Sequence, residues 1–165
     1  MTPADLLDVL RTVHREKLTM RQRHAAVARQ VSHYEFNNTY QYVIAREDVH
    51  LAWLEAAIAE LGGTPDQLDE PTIATLGKKE SFLPFVAQDS RDAGEFVTRW
   101  REKINGVGNA RHRGMVQVIL GETLEQKRFF DQMGAGQEDL LGRKSNGPGK
   151  EGTGDGVMNS RWVGQ

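Results

Sequence analysis

Three absences limit what this chain can be. Its 165 residues include no cysteine, which excludes disulfides, thiolate metal sites and a cysteine nucleophile. No apolar run approaches the ~20 residues that a membrane-spanning helix needs, and the N-terminus lacks the charged and apolar segments of a signal peptide. We therefore expect a soluble, cytoplasmic protein with no membrane partner, in which any metal is held by oxygen and nitrogen ligands.

The chain also lacks a strong net charge. Its 21 basic and 23 acidic side chains give a formal net charge of -2 at pH 7. This near balance offers no global field to attract nucleic acid, so we expect no nucleic-acid partner. The length is enough for one domain with a sizeable core, but too short for two ordinary domains.

Four segments place apolar side chains at helical spacing. Thr2 followed by Pro3 is typical of a helix start, and Ser81 is suited to cap the third helix. The predicted helices cover residues 3–32, 40–61, 82–104 and 110–133. The pattern predicts an all-α protein whose residues 1–133 form a four-helix bundle.

The connections between these segments predict the topology. A turn at residues 33–39 contains two asparagines and is short enough to join antiparallel helices. The polar connector over residues 62–80 is much longer, so it can traverse the bundle and let the third helix run parallel to the second. Residues 134–165 hold nine glycines and are predicted to form an extended or flexible tail. Its apolar patches are candidates for docking on the bundle or on a neighbouring subunit; they are Leu140 with Leu141, and Val157 and Met158 with Trp162 and Val163.

Each predicted helix has an acid on or beside its apolar stripe. These acids are Glu16, Glu47, Asp89 and Glu122. A carboxylate in an apolar interior needs a cation, a proton or a metal ion. Two helices also repeat a spacing of three, in Glu47-x-x-His50 and Glu122-x-x-Glu125, which directs both side chains of each pair to one face. Six ligands that converge in this way suit two divalent ions bridged by carboxylates.

Residues from about 5 to 133 resemble the ferritin-like superfamily, including rubrerythrins and related bacterial ferritin-like proteins of unknown function. The resemblance depends on the motif EDVH at residues 47–50 and on the long crossover between helices 2 and 3. It implies a ferritin-like four-helix bundle with a di-iron centre, or manganese instead, acting as an oxidoreductase with O2 or peroxide. A homo-oligomer, most simply a dimer, is also expected. The implied metal ligands are Glu16, Glu47, His50, Asp89, Glu122 and Glu125.

This sequence departs from the family pattern in the fourth helix, where Glu125 stands in place of a second histidine. Two alternatives therefore remain open. The ligand from the first helix is either Glu16 or His24. The second interpretation is a metal-free helical interaction module with a degenerate site, in which Glu47 and His50 are balanced by Arg46, Arg21 or Lys17. His14 and His33 are predicted to be surface residues.

Overall fold

The structure is a computed structural model that describes residues 1–142. Four α-helices account for most of this part of the chain, and it contains no β-strand. The helices are α1 (Pro3–Ala28), α2 (Tyr34–Glu60), α3 (Leu83–Lys103) and α4 (Ala110–Gly134), with a 3-10 turn at Ile104–Gly106 between the last two. The prediction of an all-α fold is confirmed. Within residues 1–142, no helix is long and apolar enough to cross a membrane.

Side chains cap the starts of α1, α2 and α4, whereas α3 begins after Phe82, which provides no cap; Ser81 Oγ accepts from Leu83 N at 3.1 Å. At α1, the Thr2 hydroxyl accepts a hydrogen bond from Asp5 N and the Asp5 carboxylate accepts one from Thr2 N, which completes a capping box before Pro3. At α4, the Asn109 side chain accepts from His112 N at 3.0 Å. These side chains satisfy backbone donors that a helix start leaves free.

The turn between α1 and α2 is shorter than predicted. Residues 34–39 are helical, so α2 begins at Tyr34 and not at Tyr40. The His33 ring nitrogen accepts from Phe36 N, and Asn37 Nδ2 donates to the carbonyls of Ala28 and Val31 at 2.9 and 3.1 Å. Asn37 is therefore a residue of α2 whose side chain caps the carbonyl groups at the end of α1. For this reason, its presence does not extend the turn to residue 39.

Side-chain pairs fix the directions of the helices. On α1 and α2, His14 pairs with Glu55 and His24 pairs with Glu47, so these helices are antiparallel. Glu16–Arg99 and Arg23–Asp89 show that α1 and α3 are antiparallel. His50–Glu122 and Tyr42–Phe129 show the same for α2 and α4. These three relations make α3 and α4 antiparallel as well. It follows that α2 and α3 are parallel, as the long connector predicts.

The connector lies along α1. Asp66 accepts from Arg15 at 2.7 Å, the carbonyl of Leu68 accepts from Gln22, and Glu70 pairs with Arg29. From the N-terminal to the C-terminal part of α1, the contacts occur in the same order as the residues of the connector. The crossover therefore covers the outer side of α1.

The interior consists of two apolar clusters. One cluster lies towards the start of α1 and the end of α2, where Leu10, Val13, Leu54 and Phe96 are completely buried or nearly so. The other includes Val27, Tyr40, Val43 and Phe130. Leu140 and Leu141, predicted as docking residues of the tail, pack against the second cluster, while residues 143–165 lie outside the described part of the chain.

Candidate functional site

A layer of buried polar side chains lies between the two apolar clusters. Its members come from all four helices, and along each helix all of them except Lys17 lie between residues of the first cluster and residues of the second. They are Lys17, His24, Glu47, His50, Asp89, Thr123 and Gln126, all of them at most 2% exposed. Within residues 1–142, the layer holds all the buried lysine, aspartate and glutamate side chains, which are Lys17, Asp89 and Glu47, and so it is the candidate site.

Glu47 lies at the centre of the layer and pairs with two groups from α1. Its Oε1 accepts from Lys17 Nζ at 3.3 Å, and its Oε2 lies 2.8 Å from His24 Nδ1. Lys17 Nζ also donates to the Thr123 hydroxyl on α4 at 3.2 Å. An ammonium group therefore lies inside the bundle between α1, α2 and α4.

The charges of this group depend on one another. Burial alone would raise the pKa of Glu47, but the neighbouring His24 and Lys17 outweigh it and hold the pKa below its usual value. Burial lowers the pKa of Lys17, although Glu47 opposes the change. For His24, burial acts to lower the pKa, but Glu47 and Asp89 together raise it above its usual value. The raised pKa of His24 and the lowered pKa of Glu47 favour an imidazolium beside a carboxylate, with Lys17 Nζ at the other oxygen of that carboxylate.

Asp89 on α3 extends the layer towards the second cluster. Its Oδ1 accepts from Arg23 Nε at 2.7 Å and lies 3.8 Å from His24 Nε2. Its other oxygen accepts from the Tyr40 hydroxyl. Burial, followed by the negative charge of Asp89, raises the pKa of Tyr40, so the phenol stays protonated and acts as a hydrogen-bond donor.

A second ionic group joins α2 to α4. His50 Nε2 pairs with Glu122, whose other oxygen accepts from Arg46 Nη2 at 2.6 Å. Burial lowers the pKa of His50, as does Lys17, and Glu122 only partly opposes this. Burial would raise the pKa of Glu122, but His50 and Arg46 lower it.

The structure brings some of the predicted ligands together and separates others. Glu47 and Asp89 share His24, while His50 and Glu122 form a pair close to Lys17. Glu16 instead faces α3, where its Oε2 accepts from Arg99 at 2.7 Å and from Trp100 Nε1 at 2.9 Å. Glu125 is about half exposed and pairs with Arg128 on its own helix. Of the two candidates on α1, His24 belongs to the buried layer and Glu16 does not.

A dinuclear metal centre fits this arrangement poorly. Lys17 Nζ lies against Glu47, and the guanidinium groups of Arg23 and Arg46 pair with Asp89 and Glu122. Metal ions would have to displace these positively charged side chains in order to bind the carboxylates. Within residues 1–142, no group of three or more His, Cys, Asp or Glu side chains is arranged to hold a metal ion. Of the three cations named for the metal-free interpretation, Lys17 pairs with Glu47. Arg46 pairs with Glu122 and Arg21 with Asp48, so neither of them balances Glu47 or His50 directly.

Sequence reasoning underestimated two residues. Lys17 follows Leu10 and Val13 and precedes Met20 and His24, at alternating intervals of three and four residues on the buried stripe. That spacing is the signal that places Lys17 inside, but an isolated lysine is usually solvated. His14, predicted at the surface, is only 1% exposed and lies 3.1 Å from Glu55, because it faces the seam between α1 and α2.

Comparison with protein-family models, with curated proteins and with solved structures found no match for this chain.

Proposed function

We propose that this chain is a metal-independent helical-bundle module that acts by binding another protein surface and not by redox catalysis. The observation that carries the proposal is the Lys17 ammonium group, 3.3 Å from Glu47 in the middle of the bundle. The resemblance to ferritin-like proteins assigns this region to two metal ions. Here a side chain of the protein supplies the positive charge that a buried carboxylate requires.

The neighbouring ion pairs support the same conclusion. Arg23 neutralises Asp89, Arg46 neutralises Glu122, and Arg99 neutralises Glu16. Each of these acids was a candidate metal ligand. A set of carboxylates already matched by cations has little excess negative charge with which to attract divalent metal ions.

The competing function is a carboxylate-bridged di-iron or di-manganese oxidoreductase with a ferritin-like fold. One observation favours it: His24 lies between Glu47 and Asp89, which are metal-ligand types contributed by three helices. Under this alternative, Glu47, Asp89 and His50 would bind the ions after Lys17 and Arg23 had moved away.

Metal analysis separates the two functions. The full chain is purified without chelator, incubated anaerobically with Fe(II) or Mn(II), desalted and assayed for bound metal. We expect far less than one ion per chain, together with an unchanged melting temperature, because a ligand of the folded state would raise it.

Retention of two ions per chain would overturn the proposal if Glu47→Gln abolished that retention. Metal that persists in Glu47→Gln is bound elsewhere on the surface. Glu125→Gln is the matched control, since Glu125 pairs with Arg128 outside the buried layer.

A further inference from the structure

A cleft with a volume of about 280 Å³ lies between α1 and α3. Ion pairs join the two helices at its ends, where Arg23 pairs with Asp89 and Arg99 pairs with Glu16. These two pairs lie ~10 Å apart along α1. Between them, no hydrogen bond connects α1 to α3 within residues 1–142, so the helices leave space there for another group.

The base of the cleft is apolar. Met20 from α1 and Phe96 from α3 form this base, and both belong to the first apolar cluster. The methylene chain of a long side chain can lie on such a surface and lose contact with water, while its charged end stays at the rim. The base therefore suits a ligand with an apolar stem.

The rim of the cleft has an excess of negative charge. Glu95 is exposed and forms no hydrogen bond or ion pair with the described residues. Asp92 lies 3.9 Å from Arg23 Nε, but that nitrogen donates to Asp89 at 2.7 Å. Arg99, the other arginine of the cleft, is already bound to an acid at its far end. The charges of Asp92 and Glu95 therefore remain available to a ligand.

A further arginine on α3 does not neutralise these acids. Arg91 lies one helical turn before Glu95, but its Nη2 donates to the Gln88 side chain at 2.7 Å. The amide nitrogen of Gln88 donates to Asp92 at 2.6 Å, so the hydrogen bond that Asp92 accepts there comes from a neutral group. Charge complementarity therefore selects a cation as the ligand of the cleft.

We propose that this cleft binds the side chain of a lysine on a partner protein. The methylene chain packs on Met20 and Phe96, and the ammonium group lies beside Asp92 and Glu95. Lysine fits better than arginine, because an ammonium group donates in three directions and serves carboxylates on separate side chains, whereas a planar guanidinium suits a single carboxylate. This inference rests on the proposed function, because it names the chemistry of the surface that the module binds.

The test compares two peptides that differ in one group. The first is a tripeptide with blocked ends and a lysine between two alanines, and the second has norleucine in place of the lysine, which keeps the methylene chain and removes the ammonium group. Each is titrated into the full chain with isotope-labelled methionine methyl groups. The NMR signal of the Met20 methyl group reports binding in the cleft, and that of Met133, in the second apolar cluster, is the internal reference.

We expect the lysine peptide to shift the Met20 signal to saturation and to bind ~5-fold more tightly than the norleucine peptide. Glu95→Gln removes the unpaired carboxylate and should weaken binding of the lysine peptide by ~3-fold. Glu102→Gln is the matched control and should bind as the wild type does. Glu102 is also exposed and without a partner among the described residues, but it lies beyond the Arg99 ion pair on α3.

Several results would overturn the inference. A Met20 signal that the lysine peptide leaves unchanged excludes binding in the cleft, and equal affinity for the norleucine peptide excludes recognition of the ammonium group. Equal losses in Glu95→Gln and Glu102→Gln would show a general attraction between charges. Tighter binding of the corresponding arginine peptide would exclude the choice of lysine. These titrations do not measure metal retention, so failure of this inference is distinguishable from failure of the metal-independent core.

Discussion

Lys17 is the residue that most changes the interpretation of this protein. Its side chain is completely buried, which is expensive for a lysine unless an acid and a hydrogen-bond acceptor compensate. Glu47 and Thr123 supply both. The burial of Glu47 and His50 was predictable, because both occur on an apolar stripe. The identity of the compensating cation was not, because it depends on how α1 and α2 align in three dimensions.

The elevated pKa of His24 predicts a pH-dependent contribution to stability. A group whose pKa is higher in the folded state than its reference value of 6.5 stabilises the fold fully below that value, and loses this contribution as pH rises through the folded-state pKa. The difference in free energy of unfolding between wild type and His24→Gln should therefore shrink as pH rises from 6 to 9. Urea unfolding at a series of pH values measures this difference. His33→Gln, at a position 37% exposed, controls for the loss of an imidazole, and a difference that grows with pH would contradict the prediction.

At the scale of the element, the α1–α2 turn shows where sequence patterns give incomplete information. Two adjacent asparagines favoured a turn through residue 39, but Asn37 uses its amide to close α1 while remaining helical itself. The hydrophobic periodicity of α2 identified its buried side correctly. The start of the helix depended on a side-chain bond to another element, and a single sequence contains no direct signal for such a bond.

Replacement of Asn37 tests this role. Asn37→Ala removes the donor for the carbonyls of Ala28 and Val31, and should lower the free energy of unfolding by about 1–2 kcal/mol. Urea unfolding gives the value. Asn38→Ala is the matched control, because the adjacent amide has no bond to α1 and should cost less. Equal losses in the two variants would show that helix propensity, and not the bond across the turn, determines the effect.

At the scale of the whole molecule, the bundle consists of two apolar clusters separated by an ionic layer. The number of helices, the long crossover and the burial of Glu47, His50 and Asp89 all agree with the sequence-based expectations. The separation of Glu16 and Glu125 from the layer was not predicted, because arginines on neighbouring turns and helices compete for these acids. Such competition is decided by tertiary packing.

The layer predicts strong coupling between Lys17 and Glu47. Lys17→Met should lower the free energy of unfolding by about 3 kcal/mol, because it removes a cation from beside a buried carboxylate. The double variant Lys17→Met with Glu47→Leu should recover most of this loss, since it joins the two apolar clusters. Chemical denaturation of both single variants and the double variant measures the coupling energy.

The exposed pair Glu125 and Arg128 provides the control for that cycle. Its coupling should be under about 1 kcal/mol, as is usual for surface ion pairs. Strictly additive losses for Lys17 and Glu47 would contradict the view that their charges compensate each other.

The crossover separates two helical hairpins, α1 with α2 and α3 with α4, and ion pairs connect one hairpin to the other. Arg23 and Arg46 of the first hairpin meet Asp89 and Glu122 of the second, while Arg99 of the second meets Glu16 of the first. Each hairpin alone would leave these charges unmatched on an apolar surface. These ion pairs therefore favour one alignment of the two hairpins, because a shifted or reversed hairpin would leave charges unpaired in an apolar interface.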